Sequence, residues 1–222
     1  IMPVGEPGIP VVVVKDVRAS YARAASRVFE PQPEISVAVT GTNGKTSVAS
    51  FVRQIWDHSG VPGASVGTLG VQTANRTIEG ALTTPDSRTL HQALRALRAQ
   101  GVDHVAVEAS SHGLDQRRLD GIHFEAVAFT NLSRDHLDYH KDMDEYRNAK
   151  LRLFSDLLVD GGAAIVNVDD PEYEPFMFAA LSSNATLLTV GREGAYIEII
   201  SIKPEGYGQR VQIRHIGELV DF

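Results

Sequence analysis

From Ile35 onward the chain alternates short apolar runs with amphipathic stretches. The run Ile35-Ser-Val-Ala-Val-Thr40 leads into the turn Gly41-Thr-Asn-Gly44, and a helical pattern follows from Lys45 to about Ser59. A buried parallel strand feeding a helix is the opening unit of an α/β sheet. The same alternation predicts strands at Ala64 to Leu69, Val102 to Ala109, Phe124 to Thr130, Ala163 to Val168 and Ala185 to Val190. It predicts helices over Ser87 to Ala99, where Leu90, Leu94 and Leu97 recur at helical spacing, and over Met143 to Phe154 and Glu172 to Leu181. Asp86 suits an N-cap and Gly101 a stop. Strands separated by helices imply right-handed crossovers, so the fold class is α/β, a mostly parallel sheet flanked by helices. Tyr196 to Ile202 and Arg210 to His215 alternate around residues 203–208 and predict an antiparallel hairpin near the C-terminus.

Ahead of Ile35 stand a β-branched run, Val11 to Val14, and an Ala-rich helical stretch from about Asp16 to Phe29. That is too little for a domain, and Glu30-Pro31-Gln32-Pro33 reads as a linker. Residues 1–33 are therefore expected to be the tail of a preceding domain, with one main domain over 34–222. With 43% hydrophobic and 22% charged residues the chain can build a packed core. A net charge of −7 opposes nonspecific binding to nucleic acid or an anionic membrane. No apolar stretch approaches the ~20 residues of a membrane-spanning helix, and the first residues lack a basic segment leading into an apolar export signal. The absence of cysteine excludes a disulfide scaffold, a thiolate zinc site and a cysteine nucleophile. These features lead to the expectation of a soluble cytoplasmic protein with no nucleic-acid or membrane partner.

Three segments carry chemistry. Gly41-Thr42-Asn43-Gly44-Lys45-Thr46-Ser47 lies between a strand and a helix start, the setting in which backbone N–H groups cradle phosphates. Lys45 would reach the terminal phosphates and Thr46 would offer a hydroxyl to Mg²⁺. The full phosphate-loop pattern places glycine where this chain has Val39. Glu108 lies at the end of a predicted strand and falls on the same sheet edge, where a carboxylate either holds Mg²⁺ or caps the next turn. Residues 131–140 pack Asp135, His136, Asp138 and His140 after another strand; that cluster fits a metal or acid–base role, and equally an N-capped helix with solvated histidines. By local pattern Lys150 is a solvated lysine on an amphipathic helix. Thr83-Thr84-Pro85-Asp86 reads as a turn and cap.

Together these segments resemble the ATP-dependent Mur ligases of peptidoglycan synthesis. The likeness is carried by the G-T-x-G-K-T loop, by Glu108-Ala-Ser-Ser-His-Gly-Leu114, by Thr83-Thr84-Pro85 and by Thr130-Asn-Leu-Ser-Arg-Asp-His-Leu-Asp-Tyr-His140, and it spans about residues 35–170. Within the family it points to the branch that adds the third stem-peptide residue. The resemblance implies an ATP-dependent amide ligase acting on UDP-MurNAc-L-Ala-D-Glu and an amino acid, as a monomer, through an acyl phosphate. It implies ATP phosphates on the loop Gly41 to Ser47, with Thr46 on one Mg²⁺ and Glu108 and His136 on a second. Lys150 matches a lysine that the family carbamylates with CO₂, giving an anion beside that metal. Thr83, Thr84, Ser110, Gln116 and Arg118 match positions that bind the UDP-linked dipeptide. The family has three domains, so the resemblance implies a fragment: the end of the UDP-binding domain over 1–33, a truncated central ATP-binding domain over 34–222, and no C-terminal amino-acid-binding domain. A folylpolyglutamate-synthetase-like ligase and a non-enzymatic nucleotide-binding module are the competing classes.

Overall fold

The computed structural model describes residues 11–80 and 82–222. Strand β1 (Ile35–Thr40) sits mid-sheet, pairing parallel with β5 (His104–Glu108) on one side and β6 (Phe124–Phe129) on the other. Beyond β5 lies β2 (Gly63–Gly67), parallel to it, and then β3 (Gly70–Thr73) and β4 (Thr77–Ile78), both antiparallel to their neighbours. Beyond β6 come β7 (Leu158–Asn167), β8 (Thr186–Gly191) and β9 (Ile197–Glu205) in parallel, then β10 (Gly208–His215) and β11 (Glu218–Asp221) in an antiparallel meander. The described residues thus form one eleven-stranded sheet, parallel at its centre and antiparallel at both margins.

Helices α1 (Val17–Val28), α2 (Lys45–His58), α3 (Ser87–Ala99), α4 (Ser111–Asp115), α5 (Met143–Arg152) and α6 (Glu174–Ser182) flank it. Side chains alternate across a strand, so Ala38, Val105 and Val107 face one way and Val39 and Ala106 the other. The first set joins the main core with Leu90, Leu94 and Leu97 of α3, Tyr146 of α5 and Phe176 of α6. The second packs only on α2, through Ala49. Beside α2 the apolar face continues as a cavity of about 280 Å³ lined by Val37, Ala126, Ala128 and Ile165.

The β-branched run Val11–Val14 joins no strand and its side chains are exposed, because β-branched residues without a partner strand gain nothing from extension. Other expectations need correcting. The helix over 143–154 ends at Arg152 and widens into a π-helical turn, Leu153–Leu157, which brings Leu153, Phe154 and Leu157 into the core. Strands β3, β4 and β11 and helix α4 are additions that a pattern of longer runs does not show. Of the expected N-terminal tail, residues 1–10 lie outside the described residues; α1 packs on α3 through Ala19, Ala22 and Ala25, and Gln32 hydrogen-bonds with His91 at 3.2 Å. Among the described residues no helix is long and apolar enough to cross a membrane.

Candidate active site

Strands β6, β1, β5 and β2 are parallel neighbours, so the segments leaving their carboxyl ends share one edge. The loop after β1 is shaped by its glycines. Gly41 has φ +150° and a Cβ there would stand 2.0 Å from Thr130 Oγ1; Gly44, at φ +86°, is the N-cap of α2. No side chain caps α2, which leaves its first N–H groups to an anion. Val39, at the missing glycine position, is a buried strand residue, so the tight turn begins two residues later.

The segment after β6 fastens this loop. Thr130 Oγ1 donates to the Asn43 carbonyl at 2.7 Å, Asn43 N–H donates to Asn131 Oδ1 at 2.9 Å, and Thr42 N–H donates to the Asn131 carbonyl at 2.8 Å. Lys45 Nζ rests on the carbonyls of Gly41 and Thr42 at 2.9 and 2.8 Å. Burial lowers its pKa, while Glu108 and Asp135 pull it back up. Ser47 lies exposed on the first turn of α2.

Glu108 is buried, yet its carboxylate is well supplied with donors. Oε2 accepts from Thr46 Oγ1 at 2.8 Å and from Thr68 Oγ1 at 3.2 Å, and Oε1 accepts from Thr68 N–H at 2.9 Å. Gly67 makes room for it, since a Cβ there would lie 1.9 Å from Oε1. A carboxylate and a hydroxyl 2.8 Å apart match adjacent oxygens in an octahedral Mg²⁺ shell, about 3 Å apart when the bonds are about 2.1 Å. Mg²⁺ takes few protein oxygens and completes its shell with phosphates and water, so this pair fits that ion. Among the described residues no three His, Cys, Asp or Glu side chains are grouped to hold a metal by themselves.

Lys150 corrects its local pattern: it is 1% exposed and points inward, with Nζ donating to the Gly41 carbonyl at 2.8 Å and 4.4 Å from the centre of the Tyr146 ring. Burial, then the nearby Lys45 charge, pushes its pKa down to about 7, against the opposing pull of Asp135. The 131–140 segment is turns rather than a helix, and His140 is buried against Tyr146, ring centres 5.3 Å apart. His136 is exposed at φ +51°, 4.9 Å from the His112 ring, with Nε2 3.6 Å from Asp135. It is on the same edge as Glu108 but joined to it by no hydrogen bond among the described residues.

Beside this centre Thr84 is 1% exposed, donating to the Glu108 carbonyl at 2.7 Å and accepting from Ser110 N–H and Oγ at 3.0 and 2.9 Å. Its hydroxyl therefore fixes Ser110, the N-cap of α4. Thr83 Oγ1 shares a hydrogen bond with Thr68 at 3.0 Å. Arg118 spans the Thr84 carbonyl at 2.7 Å and Gln116 Oε1 at 2.6 Å. The sequence pattern assigns no role to Thr68, to Thr130, which it holds only as the start of a motif, or to Tyr146, whose hydroxyl shares a 3.1 Å hydrogen bond with Thr42. Thr68 and Thr130 follow strands on this edge, the one signal that could have found them.

Residues 39–219 match the Mur ligase middle domain family. A UDP-N-acetylmuramoyl-L-alanyl-D-glutamate--2,6-diaminopimelate ligase of Chelativorans sp. (strain BNC1) is 49% identical over 218 residues, covering 98% of this chain and 45% of that protein. A solved structure of a ligase of the same name superposes with a TM-score of 0.86 at 29% identity, over 98% of this chain and 45% of the other. A Mycobacterium tuberculosis folylpolyglutamate synthase complexed with ADP gives a TM-score of 0.71 at 15% identity, over 91% of this chain and 51% of that one, a likeness of fold alone. The chain spans under half the length of the curated relatives it matches.

Proposed function

The chain belongs to the Mur ligase family, and from that premise we propose that it is the ATP-binding part of a ligase joining 2,6-diaminopimelate to UDP-MurNAc-L-Ala-D-Glu. The choice of amine follows the name of the 49%-identical relative. The observation that carries the reading is the gathering of Lys45, Thr46, Glu108 and Lys150 around one glycine loop from three different elements.

The γ-phosphoryl group of ATP passes to the D-Glu side-chain carboxylate, releasing ADP; the amine then attacks the acyl phosphate carbon and expels phosphate. Phosphoryl transfer asks a protein mainly for positioning and charge neutralisation. The loop N–H groups and the start of α2 hold the phosphates. Lys45 leaves the Gly41 and Thr42 carbonyls for phosphate oxygens, which offer a full negative charge in place of two dipoles. Mg²⁺ would neutralise phosphate charge: Thr46 and Glu108 stand close enough to share an ion, and the resemblance divides them between two, with Thr46 on the first and Glu108, His136 and a carbamylated Lys150 on the second. Lys150 reacts with CO₂ only as the neutral amine, and its depressed pKa supplies that form near neutral pH. Thr83, Ser110, Gln116 and Arg118 orient the UDP-linked dipeptide, with Thr84 fixing Ser110. Such precursors and ATP are met in the cytoplasm.

The test is ADP release by the full-length protein with ATP, Mg²⁺, UDP-MurNAc-L-Ala-D-Glu and 2,6-diaminopimelate. Release should need both substrates, and lysine should serve far less well. ADP formation indifferent to the UDP-linked dipeptide, or driven by a folate instead, would overturn the reading.

A further inference from the structure

The turn that closes α4 carries Gln116 and Arg118 on either side of Arg117, and Arg117 breaks a backbone rule. Arg118 N–H donates to the Gly113 carbonyl at 2.8 Å and Arg117 N–H to the Leu114 carbonyl at 3.1 Å. This is the paired pattern that ends a helix with one left-handed residue, a place usually held by glycine. Here the residue is Arg117, at φ +61°. A side chain kept where the backbone favours none should do something that glycine cannot.

The Arg117 guanidinium reaches away from the site. Its Nε is 3.3 Å from Asp16, the N-cap of α1, and its Nη1 is 3.5 Å from Asp156 and 3.8 Å from the buried Asp120. Arg152 braces the same group, 3.0 Å from both Asp120 and Asp156. Two arginines and three aspartates thus tie α1 to the turn and to the π-helical segment. On the other side, Arg118 and Gln116 hold each other, and Gln116 Nε2 donates to Tyr139 at 3.1 Å. One residue therefore separates the ties to α1 from the pair that faces the site.

We propose that Arg117 is a positioning residue that locks the Gln116–Arg118 turn to α1, so that the seating of α1 sets how tightly the UDP-linked dipeptide is held. This rests on the reading of Gln116 and Arg118 as dipeptide-binding residues.

Two variants separate the lock from ordinary stability. Asp16→Ser keeps an N-cap as good as the original and deletes the carboxylate that Arg117 meets. Arg117→Gly deletes the guanidinium and suits the left-handed backbone. In the full-length protein each should raise KM for UDP-MurNAc-L-Ala-D-Glu about fivefold, the scale of partly exposed ion pairs, with kcat and KM for ATP changed less than about twofold. The double variant should be no worse than either single one, because both remove the same tie. Arg117→Lys should recover part of the loss. Thermal midpoints of Arg117→Gly at or above the original would exclude a general weakening. An unchanged dipeptide KM in both variants, additive effects, or an equal rise in KM for ATP would overturn the lock. Arg118→Ala is the control: if it raises the dipeptide KM while Asp16→Ser does not, the lock alone fails, and if it leaves that KM unchanged, the dipeptide reading falls and takes the lock with it.

Discussion

Lys45 and Lys150 donate to the same oxygen, the carbonyl of Gly41, at 2.9 and 2.8 Å. One lysine opens α2 and the other comes from a helix more than a hundred residues later. Two ammonium groups on one carbonyl repel each other, and the more deeply buried Lys150 yields first. Its amine is held in the neutral range by its neighbour as well as by its burial.

A pH dependence of stability follows. The unfolded chain keeps the proton on Lys150 up to its ordinary value of 10.5, while the folded chain gives it up at about 7. Between those values the unfolded state binds more protons, so this group's penalty is full below pH 7 and shrinks as pH rises. In CO₂-free buffer the unfolding free energy of the wild type should climb relative to Lys150→Met from about pH 7 to 10, by up to about 1.4 kcal/mol per pH unit. A pH-independent difference in denaturant titrations would refute the depressed pKa.

Lys150→Ala in the full-length protein should abolish ligation if the working group is a carbamate anion. Acetate or formate should restore part of the turnover by filling the vacated space, and small amines should not. Depleting CO₂ or lowering the pH should depress the wild type. Rescue by amines in place of carboxylates, read as ADP release, would rule the carbamate out.

Gly41→Ala places a methyl group 2.0 Å from Thr130 Oγ1 in a backbone conformation that suits glycine. The loop must shift, losing the Thr130–Asn43 tie. Calorimetric titration with ATP should show binding weakened at least about tenfold, of the order of 1.4 kcal/mol. Wild-type affinity would show that the loop adapts without loss.

Glu108 can be probed for two separate roles. Glu108→Ala removes the buried carboxylate to which Thr46 and Thr68 donate, and the loss of these charge-assisted hydrogen bonds should lower stability by about 1–3 kcal/mol in thermal unfolding. Glu108→Gln retains an oxygen for Thr68 N–H and should stay within about 1 kcal/mol of the wild type, while ligation at limiting Mg²⁺ collapses. Normal turnover of Glu108→Gln at low Mg²⁺ would remove Glu108 from the metal.

The strands and helices that bear the chemistry were legible because they follow long, regular patterns: β1, α2 and α3 match expectation closely. What escaped was short or relational. Strand β4 has two residues and α4 five, too few for any period to register. Lys150 reads as a surface residue because its burial depends on how α5 meets the loop after β1, whose Gly41 carbonyl its Nζ reaches from 109 residues away, which no local window contains. Thr68 is an ordinary threonine until β2 lies beside β5 and brings it to Glu108. In the opposite sense, Val11–Val14 has strand chemistry and no strand to pair with.

Helix α1 presents only methyl groups to the core, those of Ala19, Ala22 and Ala25, while Val17, Tyr21 and Val28 face outward. Three buried methyls contribute roughly 2 kcal/mol, far less than the leucine face of α3. The helix is consequently held as much by charge as by apolar contact, and ions in solution screen charge. Its backbone amides should exchange with deuterium ahead of those of α3, and added salt should hasten them more than those of α3, marking α1 as the looser of the two helices.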